Sequence, residues 1–176
     1  MYFERKDPDS VKAPAILHNI ADIPNGVTIK TTGLTPGELP DATPIYPDSE
    51  GLYSLVATVK VVETAAANAV NYSVAKGHQF KVGQKIYKDA STNVDISAIN
   101  TTDATKDVIT VSATLGAKAI GANLTQGNLP KAVAITGSPA TIEAGKNLFV
   151  PAVVIGVVNK NIMPQPDNKP DGIQYV

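Results

Sequence analysis

Apolar and polar residues alternate with a period of two along much of the chain, and turn residues interrupt the alternation about every 10 to 15 positions. The cleanest run is 109–115, with Ile109, Val111, Ala113 and Leu115 on one face and Thr110, Ser112 and Thr114 on the other. Upstream, Leu55, Ala57, Val59 and Val61 alternate with Val56, Thr58, Lys60 and Val62, which predicts one strand with a mostly apolar face. Val94 and Ile96 share a parity that Ile99 breaks, so a β-bulge is expected near Ser97 and Ala98. Shorter strands are predicted over 70–75, around Phe80 and Val82, and over 86–88, with turns at Lys76-Gly77 and Gly83-Gln84. The alanines of 65–69 are too few to nucleate a helix and predict a loop; 117–122 reads as a short helix or a loop. Residues 133–136 predict another strand, closed by Gly137-Ser138-Pro139, and Ala144-Gly145-Lys146-Asn147 marks a further turn. The almost unbroken apolar run LFVPAVVIGVV, 148–158, predicts a strand buried on both faces with a bend at Pro151.

Proline divides this pattern into three. Residues 1–50 hold Pro8, Pro14, Pro24, Pro36, Pro40, Pro44 and Pro47, whereas none falls between Gly51 and Leu129. Each proline fixes φ and removes a backbone donor, so 1–50 is expected to be an extended arm with local pairing only. Its strand candidates are 15–20 and 27–31, joined through Pro24-Asn25-Gly26, and Thr35-Pro36-Gly37 suits a type II turn. The arm carries Ile16, Leu17, Ile20, Ile23, Val27, Ile29, Leu34, Leu39, Ile45 and Tyr46, too many apolar residues for a solvated linker. Either the rest of the chain or a partner must order it. The expected fold class is all-β: a small antiparallel β-barrel or sandwich module over 51–130, inserted in a β-rich unit formed by the two chain ends. In that unit the segment 131–176 packs with the extended N-terminal arm. The stretch 77–116, with three strand signals and no proline, is the centre of the module.

Composition agrees with this class: charged residues are 18% and aromatic residues 5% of a chain with 13 Gly and 13 Pro. Among the basic residues Arg5 is the only arginine. Scarcity of the planar guanidinium that reads phosphate and guanine argues against a nucleic-acid partner. With no cysteine in the chain, disulfides, thiol nucleophiles and thiolate metal sites are excluded. No apolar run approaches the roughly 20 residues of a membrane helix, and MYFERKDPDS is not followed by the apolar stretch of a secretory signal, so neither is expected.

Candidate chemistry is sparse. His18 lies in an apolar strand and His78 in a turn, and neither has acidic or histidine neighbours at ligand or triad spacing. Nucleophile-elbow, zinc-protease, P-loop and dinucleotide motifs are missing, so no catalytic residue, metal or cofactor is expected. The carboxylate groups Asp48 with Glu50, Asp103 with Asp107, and Asp167 with Asp171 read as turn chemistry. Aromatic rings are spread along the chain with no tryptophan, and form no stacking constellation for sugars or bases. Tyr2, Phe3 and Arg5 form one terminal cluster of the kind that anchors interfaces.

The segment from Lys76-Gly77-His78-Gln79-Phe80-Lys81-Val82-Gly83-Gln84-Lys85-Ile86 through Ile96-Ser97-Ala98-Ile99 and Asp107-Val108-Ile109-Thr110-Val111 to Leu115-Gly116 resembles capsid decoration and head-fibre proteins of tailed bacteriophages. The crAss-like phages are included in that group. The ending Val153-Val154-Ile155-Gly156-Val157-Val158, followed by Met163-Pro164, is similar to the close of that family. The resemblance implies a non-enzymatic virion structural protein on the outer capsid surface. It also implies partners in the major capsid protein and other virion proteins, and a homo-oligomer, by analogy a trimer. No shaft repeat or heptad is present, which favours a decoration protein or fibre base over a complete fibre. The residues expected to meet the capsid or a neighbouring protomer are Tyr2, Phe3, Arg5, Ile16, Leu17, Ile20, Ile23, Ile45 and Tyr46. The alternative expectation is a surface or secreted adhesion module binding carbohydrate.

Overall fold

A computed structural model describes residues 13–89, 92–163, 165–167 and 169–176. Among the described residues all regular elements are strands, and the fold is all-β as the alternation predicts. The first part of the chain supplies β1 (Ile16–Asp22), β2 (Val27–Ile29), β3 (Gly37–Leu39), β4 (Pro44–Pro47) and β5 (Tyr53–Leu55). The middle supplies β6 (Thr58–Lys60), β7 (Asn71–Val74), β8 (Lys85–Asp89), β9 (Thr92–Asn100), β10 (Asp107–Val111) and β11 (Asn123–Thr125). The last part supplies β12 (Ala134–Thr136), β13 (Ala140–Ile142), β14 (Leu148–Val150), β15 (Ala152–Val158) and β16 (Ile173–Tyr175).

The middle strands form a small barrel. Four of them pair in the order β7-β10-β9-β8, and β11 pairs with β6. Bridges between Val61 and Val74 and between Ile86 and Gln126 join the two sheets on both sides, closing a ring of six antiparallel strands. The apolar parity of each strand points into this ring. Val59, Tyr72, Val74, Phe80, Ile86, Val94, Ile96, Ile109, Val111 and Leu124 form one buried cluster. The bulge expected from sequence sits at Ser97: Thr110 faces Ala98 and Val111 faces Ile96, leaving Ser97 unopposed. Tyr72 is fully buried, its hydroxyl accepting Leu115 N–H at 2.8 Å and donating to Ala69 O at 2.8 Å. That pair of bonds seals the end of the barrel where β10 stops at Val111, four residues before the alternation does.

Both ends of the chain build one eight-stranded sheet, ordered β1-β15-β12-β4-β5-β2-β14, with β16 on β15. Although β14 and β15 lie toward opposite ends of this path, only Pro151 separates them in sequence, so the sheet must curl until its ends meet. Pairing continues through that corner: Asp22 faces Val153, Val27 faces Val150, and Ile23 N–H donates to Ala152 O at 2.8 Å. Gly26 turns the corner at φ +68°, where a Cβ would stand 2.6 Å from Val150 O. The sheet is covered on both faces. Ala134 and Ala152 belong to one buried cluster with Ile29, Ile45 and Leu55; their neighbours Ile135 and Val153 belong to another with Val158 and Ile173.

Several local expectations change. Residues 148–158 are two strands rather than one, because Pro151 cuts the run, and Phe149 and Ile155 are exposed rather than buried. The predicted strand over 55–62 is also two: Leu55 ends β5 in the large sheet, Val56 and Ala57 cross over, and β6 starts the barrel. Sheet membership thus changes between Leu55 and Thr58, and again between Thr125 and Ala134. The turn assigned to Thr35-Pro36-Gly37 lies earlier, at Thr31 to Leu34, where Leu34 N–H reaches Thr31 O and Gly33 takes φ +80°. Gly37, at φ +149°, opens β3 instead. Residues 117–122 form a loop, and β3, β11 and β13 were not legible as strands.

Candidate functional site

Strand β1 ends the sheet path and, among the described residues, is paired on one side only, with β15. Its register against β15 slips three times, twice through an extra residue in β1 and once, between Ala21 and Asp22, where Val154 of β15 is unopposed. Ile16 faces Val158 and His18 faces Val157, so Leu17 is unopposed; Asn19 faces Gly156 and Ala21 faces Ile155, so Ile20 is unopposed. A bulge rotates its extra residue out of the pleat, and these two side chains are 49% and 62% exposed. Gly156 lets the doubly bulged strand lie close, since a Cβ there would stand 2.7 Å from His18 O. Ile155, opposite Ala21 and 44% exposed, extends the apolar surface onto β15. Natural edge strands are commonly blunted with lysine or proline. In β1, ILHNIAD, neither occurs, and Asp22 is its only acidic residue.

The other sequence candidates divide. Ile16 and Ile23 are half-buried against the two clusters of the curled sheet, and Tyr46 is half-buried on β4. Ile45 is 0% exposed within the core and has no surface to offer a partner; in β4 it lies next to Tyr46 but on the inward parity. Tyr2, Phe3 and Arg5 lie outside the described residues.

A buried polar cluster, which the sequence did not reveal, stands at the mouth of the barrel. Asp107 begins β10, Lys76 follows β7, and His78 lies in the next turn. Pairing of β10 with β7 sets Asp107 opposite Val74, two residues from Lys76. Lys76 Nζ lies 2.6 Å from Asp107 Oδ1 and donates also to Thr101 O at 3.0 Å. His78 Nε2 stands 3.4 Å from Asp107 Oδ2, beyond hydrogen-bond length, and the two side chains are 5% and 7% exposed. The opposite nitrogen, Nδ1, accepts Phe80 N–H at 3.2 Å, which places the proton of the neutral ring on Nε2, facing Asp107. Burial lowers the His78 pKa below its ordinary 6.5; the Asp107 carboxylate works against that shift and Lys76 reinforces it.

General-base catalysis needs an imidazole nitrogen turned toward a reacting group. Here one nitrogen is held by the backbone and the other faces a carboxylate already paired with lysine, so the arrangement fixes the turn at Gly77. The separation of 29 positions between His78 and Asp107 concealed it, since the pairing of β10 with β7, not a local motif, brings them together. Among the described residues no group of three or more histidine, aspartate or glutamate side chains is placed to hold a metal ion. Among them, too, no helix is long and apolar enough to cross a membrane. Comparison with known protein families, characterised proteins and solved structures finds no match for the chain.

Proposed function

We propose that this protein is a structural component of a virus particle, a capsid decoration protein or head-fibre base that binds the outer capsid surface and reinforces it or anchors a fibre. One observation supports the reading beyond the sequence resemblance: among the described residues β1 is a sheet edge open on one side, free of lysine and proline, whose two bulges turn Leu17 and Ile20 outward near Ile155. Such an edge offers unpaired backbone groups for strand addition and apolar side chains for specificity. Self-association, as a homotrimer by analogy with the family it resembles, would cover that edge, and the major capsid protein would take the remaining contact. The immobilised histidine also suits a protein that holds a shape better than one that turns over a substrate.

The test uses the whole chain and native particles. Particles banded on a density gradient should carry the chain, and the purified protein should sediment as a discrete oligomer. The double variant Leu17→Lys/Ile20→Lys replaces two exposed side chains, so it should fold normally yet lose both behaviours. Absence of the chain from banded particles, or a variant that assembles and binds like the parent, sinks the proposal.

A further inference from the structure

A cleft of about 150 Å3 opens where the curled sheet meets the barrel. It draws Tyr46 from β4 and Ser54 from β5 on one side, Gln84 and Gln126 from the barrel on the other, and has Leu34, Leu55 and Ala57 among its apolar walls. The two carboxamides are set by the backbone. Gln84 Oε1 accepts Lys81 N–H at 2.9 Å and Gln126 Oε1 accepts Ala57 N–H at 3.3 Å. Only an amide oxygen can accept these bonds, so each orientation is fixed, and each Nε2 keeps two hydrogens with no partner among the described residues. Tyr46, Ser54 and Thr32 line the same cleft, and their hydroxyls likewise make no hydrogen bond to described residues. Gln79 spends both ends of its amide on Thr35, which ties one wall of the cleft to the barrel. Lys30, the one cation among the lining residues, pairs with Glu50 at 2.8 Å.

We propose that this cleft is a binding site for a single ring of a neutral saccharide. The chemistry of the lining selects that class. Fixed amide donors and free hydroxyls match a polyhydroxyl ligand, the half-buried tyrosine and leucines match the apolar face of a pyranose, and the compensated lysine leaves no net charge to attract an anion. Size limits it to one ring, since an engineered cavity of about 150 Å3 accommodates benzene. Affinity for one ring falls in the millimolar range, and an oligomer displaying several clefts would bind a glycan surface by avidity. The inference does not rest on the virion assignment.

The experiment titrates the labelled full chain with glucose, galactose, mannose and N-acetylglucosamine, and separately with adenosine and cytidine, while recording amide spectra. At least one sugar should give saturable shifts of the Gln84 and Gln126 side-chain NH2 signals at millimolar concentration. Tyr46→Phe and Ser54→Ala delete hydroxyls that bond nothing in the protein, so both should leave thermal stability unchanged and weaken the sugar about 2- to 10-fold. No saturable shift with any of the four sugars overturns the proposal. So do shifts that map elsewhere, variants that bind unchanged, or nucleosides that saturate the site while sugars do not.

Discussion

The barrel and the curled sheet are made from the same alternation of apolar and polar residues, yet they handle their edges in opposite ways. The barrel has no proline in its strands, and its ring closes, so every strand finds two neighbours through ladders or bridges. The curled sheet is punctuated by prolines and glycines, bends twice at one corner, and among the described residues leaves β1 paired on one side. A donor removed at each proline prevents a continuous ladder, and the bulges that accommodate the bend push apolar side chains outward. Closure makes the barrel a self-sufficient unit. Incompleteness makes the curled sheet the part with surface left to engage something else.

The largest effect that separates the two regions is expected at Gly172. A Cβ there would stand 2.1 Å from Val154 O, a backbone atom that cannot step aside, in the segment where β16 joins β15. Gly172→Ala should destabilise the curled sheet by about 3 kcal/mol. Hydrogen exchange should show the loss in β15 and β16 while amides of β9 and β10 keep their protection. Equal loss in both regions would mean that the barrel depends on the sheet.

The counterpart in the barrel is Tyr72→Phe. It removes no volume from the core but strands the buried Leu115 N–H, which the Tyr72 hydroxyl accepts. A buried donor without a partner costs about 1–3 kcal/mol, and a urea titration should place the loss in the barrel. Wild-type stability for this variant would show that water reaches the site.

How much of this was legible in the sequence follows the same division. In the barrel, parity alone located β10 and the bulge at Ser97, because each strand has one buried face and a register slip would turn it outward. In the curled sheet, central strands are buried on both faces and parity vanishes: Ala134 and Ile135 are both fully buried. There an apolar run such as 148–158 could not reveal that Phe149 and Ile155 face solvent. Strands of three residues, such as β3, β11 and β13, are too short to show any period. The surfaces were least legible of all. Leu17 and Ile20 were picked out as apolar residues, but their exposure follows from bulges against Val157–Val158 and Ile155–Gly156; Gln84 and Gln126 gave no signal, since a carboxamide acquires direction only from the backbone it meets.

The smallest expected effect, and the one most specific to the barrel, is a pH dependence at His78. Its folded-state pKa lies below the ordinary 6.5, burial being the main cause. Near and below pH 6.5 the unfolded chain therefore takes up a proton that the folded chain refuses, so the contribution of His78 to stability is complete above that pH. It declines as the pH falls, and levels off once the folded-state pKa is passed. Glu63 is held below its ordinary 4.5 by its hydrogen bond to Lys106, Glu143 likewise by Lys146, and Asp103 below 3.8 by the backbone N–H of Thr105, so all three titrate at lower pH. Thermal melts from pH 7.5 to 5 should show a shallow downward slope. His78→Asn, whose amide oxygen can replace Nδ1 as acceptor for Phe80 N–H, should flatten it without loss of stability at pH 7.5. An unchanged slope in that variant would mean that Asp107 offsets both burial and Lys76, so that the imidazolium is held as readily as the imidazole, and that the barrel mouth is wetter than a 5% exposed ring implies.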